Sequence, residues 1–398
     1  LTIAPERAGR LPRVAGHHDA LDGVRAVAAL AVLVFHVAAT VGWFSPQEGA
    51  VSWLLSRGEI GVTLFFVLSG FLLYRPWAAA SLDGRPRPRV LPYLRKRAFR
   101  VLPAYWLLVL VVVPVLLSSH LGDAWTWTSL LTLTFVYDPG PWWNRHLGPD
   151  GLGQIWSLCV EVAFYLTLPL VAGVLDRYAR RRGDRDGRAR ALLRGLAVYA
   201  ALSAVYTVGM FASGDQAFFG TWLPRYFAWF AAGMTLTVLA TWARGSETAA
   251  RLCRTVTVSW GSCWLAAALL YCAAATPLTG ISRLYVGDVW VSLFNLVLYG
   301  AAAVLFVAPV ALAPDTHPVF DAVLGNRVMR YLGRISYGIF LWQFVAIHLW
   351  FDWTGRRASE GGLPVDLPGC LLLTVVAAAL THHLVEEPVR RLGARLGR

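Results

Sequence analysis

Charge is scarce in this chain: 15% of its 398 residues are Asp, Glu, Lys or Arg, where a soluble domain carries about 25%. The scarcity is also uneven. Long uncharged runs alternate with short arginine-rich connections, the pattern of repeated bilayer crossing, because a helix needs about 20 apolar residues to span the hydrocarbon core. The apolar–polar alternation of barrel strands, about 10 residues at a time, is missing, which argues against extended spanning segments. Lysine is almost absent, with Lys96 standing against 35 arginines. The five cysteines (Cys159, Cys253, Cys263, Cys272, Cys370) form no CxxC pair and no metal-ligand spacing, so neither a disulfide framework nor a metal site is implied. No internal repeat is found. Nothing before Ala20 reads as a cleavable signal, since that segment is polar and basic.

What is present is hydrophobic: 57% of the residues, including 18 tryptophans. Uncharged runs and their flanks give an all-α, polytopic membrane protein of about ten transmembrane helices, at roughly 22–43, 59–78, 100–119, 152–175, 195–213, 223–242, 256–276, 288–312, 332–351 and 366–385. The segment 123–149, with Trp125, Trp127, Trp142 and Trp143, is too broken by Pro, Gly and Asp to span and reads as an interfacial flap. The net charge of +13 lies in loops that flank apolar runs, so it anchors topology and does not point to nucleic acid. In alternate loops, one side holds 29 basic residues and the other holds 6 (Arg57, Arg145, Arg225, Arg283, Arg356, Arg357), with Arg25 inside the first helix. The imbalance places both termini in the cytoplasm and the protein in the inner (cytoplasmic) membrane. Residues 21–388 then form the transmembrane unit, between a cytoplasmic tail at 1–20 and a basic tail at 389–398.

Ionisable residues inside spans are costly and usually functional. In the first helix Arg25 and His36 are eleven residues apart, which leaves them on one face about 16 Å apart, with Asp22 joining that face. The fourth helix holds Glu161, the single acid deep within a predicted span, flanked at four-residue spacing by Ser157 and Tyr165. Helix rise puts His36 and Glu161 at similar depth, about 10 and 13 Å below the outer surface, where the two should meet. The second helix carries Phe65-Phe66-Val67-Leu68-Ser69-Gly70-Phe71. No GxSxG surrounds Ser69, and helix packing accounts for Ser69-Gly70 as readily as a substrate contact does. At the start of the third helix, Arg97 and Arg100 share a face, suited either to phosphate oxygens or to topology anchoring.

Taken together and in order, these groups resemble the acyltransferase-3 family of integral membrane acyltransferases. Arg25 and His36 match its basic-x10-His signature, and Phe65 to Phe71 match its second-span stretch. Arg97 and Arg100 before Leu102-Pro103, Trp156 to Tyr165, Ile335 to Trp342, and Glu387-Pro388 match further elements. Gln343 stands where members often carry a second histidine, which leaves His36 alone in that role. The chain looks like the stand-alone form, similar to enzymes that acylate glycans or macrolides. The resemblance implies transfer of a short acyl group from cytoplasmic acyl-CoA, acetyl-CoA first, to a hydroxyl of a sugar-containing acceptor, with no bound cofactor. Arg25, Arg97 and Arg100 would hold the donor phosphates. His36 would act as general base, with Glu161 steadying it, and Ser69, Trp156 or Tyr165 would supply substrate or oxyanion contacts. The reading from a different class is a proton-coupled secondary transporter using His36 and Glu161 as a relay. It would be favoured by inverted repeats.

Overall fold

A computed structural model describes residues 11–13, 16, 18–43, 49–143, 147–276, 279, 288–357 and 361–395. Among these the architecture is all-helical, with no strand. The principal helices are α1 (Asp19–Thr40), α2 (Ile60–Leu82), α3 (Val90–Leu116), α4 (Trp156–Ala179), α5 (Arg185–Ser213), α6 (Phe227–Trp242), α7 (Glu247–Val258), α8 (Trp260–Ala274), α9 (Val289–Ala311), α10 (Arg327–Thr354), α11 (Leu363–Thr381) and α12 (Glu387–Arg395).

By length and composition, seven helical segments can cross a membrane, and eight if the α7–α8 pair, bent by 67°, counts as one span. Of the other long elements, α6 has 16 residues, and α10 carries Arg327, Arg330, Arg334 and Asp352 within its 28. Helices occupy each of the ten predicted regions, but several run further. α3 begins at Val90 instead of 100 and α5 at Arg185 instead of 195, because their arginine-rich leads are themselves helical; arginine and leucine are strong helix formers. α4 begins at Trp156, after a turn at 152–155 where a helix start was expected.

Caps set several boundaries. The Asp184 carboxylate accepts from the Gly187 amide at 2.9 Å, Asp288 accepts from Val291 at 2.8 Å, and Asn326 accepts from Met329 at 3.0 Å. Each satisfies an orphan N–H of a first turn. Pro76, Pro103, Pro114, Pro169 and Pro309 lie inside helices, which buried helices tolerate when neighbours satisfy the freed backbone groups.

Packing centres on α2, which lies against α6, α1, α9 and α4. At the α2–α6 crossing a methyl group on Gly70 would collide with the Phe230 carbonyl, and one on Gly233 with the Val67 carbonyl. Backbones approach this closely only where side chains are missing. α10 packs between α1 and α11, with Gly333 directly over the Asp22 backbone.

One end of the bundle collects the basic connections. Arg87 and Arg180 both bind Asp176, at 2.6 and 2.8 Å, and Arg185 pairs with Asp83. Arg330 pairs with Asp19 at 2.7 Å, and Gly393 of α12 rests on the Phe99 ring. The described parts of the N-terminal and C-terminal segments therefore lie at the same end. At the other end, Tyr299 donates to Glu59 at 2.9 Å and Tyr271 donates to the Leu54 carbonyl at 2.5 Å. The segment predicted as a flap forms a short helix, Ala124–Leu131, capped by Asp123, and a turn at Phe135–Tyr137. Trp125 donates to Asp138 at 2.7 Å and Trp142 stacks on His120, while Arg145 lies outside the described residues, as does Arg283 on the long connection before α9.

Candidate active site

The cavity inside the bundle is built by five helices that each contribute polar residues. From α4, Ser157, Glu161 and Tyr165 follow one another at four-residue intervals on one face and all line it. α3 contributes Arg97 and Arg100, one turn apart, because the arginine-rich lead is helical and aims both inward. α1 adds Arg25, and α2 adds Ser69 with Phe65 and Phe66. Tyr337 and Phe340 of α10 complete the wall, and the Tyr337 hydroxyl is tied to the Val101 carbonyl at 2.9 Å.

Charge inside the cavity is unbalanced. Arg25 donates to Asp22, one turn earlier, at 3.0 Å. Arg97 and Arg100 form no ion pair among the described residues, and Arg97 Nε is buried without a hydrogen-bond partner. Glu161 is the one carboxylate among the cavity-lining residues and lies within electrostatic reach of Arg25. It accepts a hydrogen bond from Ser69 Oγ at 2.5 Å. An environment with more fixed cations than anions, partly withdrawn from water, suits an anionic ligand with oxygens for the guanidinium forks.

His36 lies elsewhere. It is half-buried, three helical turns beyond Arg25 on the same face of α1, and its ring packs on Phe35 and Phe344. Its Nδ1 is 3.0 Å from Oε1 of Gln343, which is fully buried. The Gln343 amide nitrogen donates to the Phe340 carbonyl at 2.9 Å, so Oε1 is the acceptor facing the imidazole. Nδ1 therefore carries the proton, and in the neutral ring the basic lone pair is on Nε2.

The expected meeting of His36 and Glu161 is not what the fold makes. Glu161 bonds Ser69 and faces the arginines, while His36 is oriented by Gln343. The reason is the packing of α2, which lies on both α1 and α4 and carries its serine to the carboxylate. Trp156 does not line the cavity either; it packs against Tyr226. Of the sequence candidates, Arg25, Arg97, Arg100, Ser69, Glu161 and Tyr165 come together. Phe340 links them to His36, lining the cavity with its ring while its carbonyl holds Gln343.

Sequence reasoning noted Gln343 only as a missing histidine. A glutamine inside the apolar run from Ile335 to Trp350 was the available signal, since buried amides need partners. Among the described residues His382, His383 and Glu387 bring possible metal-ligand atoms within 4.8 Å of one another. Each already has a protein partner: Glu386 for His382, Tyr331 for His383 and Arg391 for Glu387.

Comparison with known proteins places this geometry. The family model described as an acyltransferase domain, of the acyltransferase-3 type, matches residues 18–383. A putative peptidoglycan O-acetyltransferase, YrhL of Bacillus subtilis, is 27% identical over 95% of this chain and 56% of its own length. Peptidoglycan O-acetyltransferase OatA of Listeria monocytogenes is 24% identical over 94% of the chain and 56% of its own length. O-acetyltransferase OatA of Staphylococcus aureus is 23% identical, again over 94% of the chain. The chain thus spans just over half the length of the curated relatives it matches. No solved structure gives a significant match.

Proposed function

We propose that this chain, which belongs to the acyltransferase-3 family, transfers a short acyl group from acyl-CoA to a hydroxyl of a sugar-containing acceptor. The observation that carries the reading is the inward-facing trio Arg25, Arg97 and Arg100, with one guanidinium nitrogen buried and unpartnered, in a cavity that ends one turn from the residues holding His36. The relatives' names, peptidoglycan O-acetyltransferases, support an acetyl group and a glycan acceptor.

In this reading the donor phosphates bind Arg97, Arg100 and Arg25 through charge-assisted hydrogen bonds. The pantetheine arm runs toward His36, over the about 16 Å that separates Arg25 from the imidazole along α1. His36 Nε2 takes the acceptor's hydroxyl proton as that oxygen attacks the thioester carbonyl. The C–S bond breaks, and the departing thiolate receives the proton from His36. Gln343 keeps the imidazole in the competent tautomer, the positioning role a carboxylate plays in a triad. Glu161 is a catalytic-site group of a different kind: it polarises Ser69 and balances the arginines beside the donor. Ser69 and Tyr165 are the hydroxyls placed to reach substrate, and Trp156 supports the wall behind them.

The same reading sets the topology. Ten crossings with residues 21–388 as the transmembrane unit put the basic end of the bundle, and both tails, in the cytoplasm of an inner-membrane protein. Both tails at one end agree with an even number of crossings. Acyl-CoA then enters from the compartment that contains it.

The test is direct. Protein purified in nanodiscs is given radiolabelled acetyl-CoA with and without a glycan acceptor. Acceptor-dependent release of CoA, with label in base-labile ester linkage, is expected. Absence of both donor binding and turnover across a panel of acyl-CoAs overturns the donor assignment.

A further inference from the structure

Arg75 lies on α2 one turn past the cavity-lining Leu72, toward the basic end of the bundle. Its side chain is mostly withdrawn from solvent, and two guanidinium nitrogens, Nε and Nη2, are buried with no hydrogen-bond partner. The remaining contacts are weak. Nη1 reaches the Gly16 carbonyl at 3.5 Å, and the guanidinium lies over the Phe71 ring at 4.3 Å. Beside it, His18 is also buried and its Nε2 has no partner. The charges acting on Arg75 are those of Arg25 and Arg13; Arg13 is engaged with Asp315 at 3.4 Å, and Asp315 and Asp321 lie within electrostatic reach of His18. Two unpartnered buried donors on one guanidinium, next to an imidazole nitrogen that also lacks a partner, leave room for an anion.

We propose that Arg75 and His18 form a second phosphate subsite, which receives the ribose 3′-phosphate of coenzyme A. This rests on the acyl-CoA reading above and adds to it. Coenzyme A carries two separated anionic centres, a diphosphate beside the pantetheine and a phosphate monoester on the ribose. The protein presents two separated cationic centres in matching order. Along α1, His18 precedes Arg25 by seven residues, about 10 Å, on the side away from His36. A thioester at His36 and a diphosphate at Arg25, Arg97 and Arg100 leave the nucleotide end at Arg75 and His18. A planar guanidinium with two open donors matches a phosphate monoester bidentately.

Binding of CoA and dephospho-CoA, which lacks the 3′-phosphate, is measured on the full chain in phosphatidylcholine nanodiscs. The wild type is expected to prefer CoA by about 10- to 100-fold, the range of a charge-assisted hydrogen bond. Arg75→Gln should bind both ligands at the dephospho-CoA level, and Arg75→Lys should keep part of the preference. Arg97→Gln with Arg100→Gln should weaken both ligands and leave the preference in place. Arg75→Gln should melt close to the wild type without ligand, since only the long Gly16 contact and the stacking on Phe71 are lost. An Arg75→Gln protein that still discriminates overturns the subsite alone. A wild type that binds neither ligand overturns the acyl-CoA reading and the subsite with it. Arg75-dependent retention of phosphatidylglycerol, without discrimination between the two nucleotides, assigns the subsite to a lipid phosphate and overturns the proposal.

Discussion

Gln343 determines what His36 can do. An imidazole held through Nδ1–H by a neutral amide has its tautomer fixed but gains no negative charge to stabilise the protonated ring. The sequence disclosed half of this arrangement. Eleven-residue spacing placed Arg25 and His36 on one face, and the structure keeps them there. Which residue would face His36 was not legible, because the answer is 307 positions away and depends on how α10 packs on α1. The same limit applied to Glu161: its place inside a span was legible, but the partner expected for it was His36, and the fold brings Ser69 from α2 instead. These separate networks predict separable effects. His36→Ala should lower acyl transfer by about 10²–10⁴-fold, the usual contribution of a general base, with donor binding intact. Gln343→Ala should lower turnover less and leave KM for the donor nearly unchanged. Glu161→Gln should act on the arginine cavity, so its loss should multiply with that of His36→Ala instead of being absorbed by it. A double variant no worse than His36→Ala would instead join the two networks into one unit.

Helices, as elements, were legible in position and less so in extent. A reading based on apolar runs stops at the first charged cluster, and in α3 and α5 the helix continues through it. That continuation matters for function: a coil at residues 90–100 would give Arg97 and Arg100 no fixed direction, whereas a helix aims both at the cavity. Packing partners were less visible. Ser69-Gly70 read as a packing step or a substrate contact, and the structure gives each residue a different contact. Ser69 reaches Glu161, and Gly70 admits the Phe230 backbone. The opposing Gly233 does the same for Val67. A side chain at either glycine must push α2 and α6 apart, which also displaces Ser69. Gly233→Val should therefore yield little folded protein by size-exclusion and thermal melting. Gly209→Ala, in α5 with open space around its Cβ position, should fold normally or melt slightly higher, as alanine exceeds glycine in helix propensity by about 1 kcal/mol. Equal tolerance at both positions would remove the close crossing from the account of the site.

Over the whole molecule, the segregation of arginine supplies an orientation, and the ion pairs supply an independent reason to group the same loops. Counting assigned the connections at 75–100 and 177–194 to one compartment from charge alone. In the fold those two connections are joined through Arg87–Asp176 and Arg185–Asp83, and Arg180 donates to the Arg85 carbonyl at 2.6 Å. The arginines are thus anchors and also the fasteners of a structured end. That end adjoins Arg75 and the N-terminal segment, so under the proposed function its compartment is also the one from which the anionic donor would enter. Reporter fusions truncated within 83–89 and 181–184 should both read as cytoplasmic, and a fusion at 138–141 should read as exterior. Cysteine accessibility gives a second readout on the intact chain. A cysteine at Asp83 should be labelled by impermeant maleimide only in inverted vesicles, and one at Gly140, which is exposed beside Asp138, only in intact cells. Reversal of both patterns would move the arginine cavity's mouth to a compartment without acyl-CoA. The donor would then need to be a lipid-linked or exported acyl group. A mixed result, with 83 and 181–184 on opposite sides, would contradict the ion pairs that join them and require a different helix arrangement altogether.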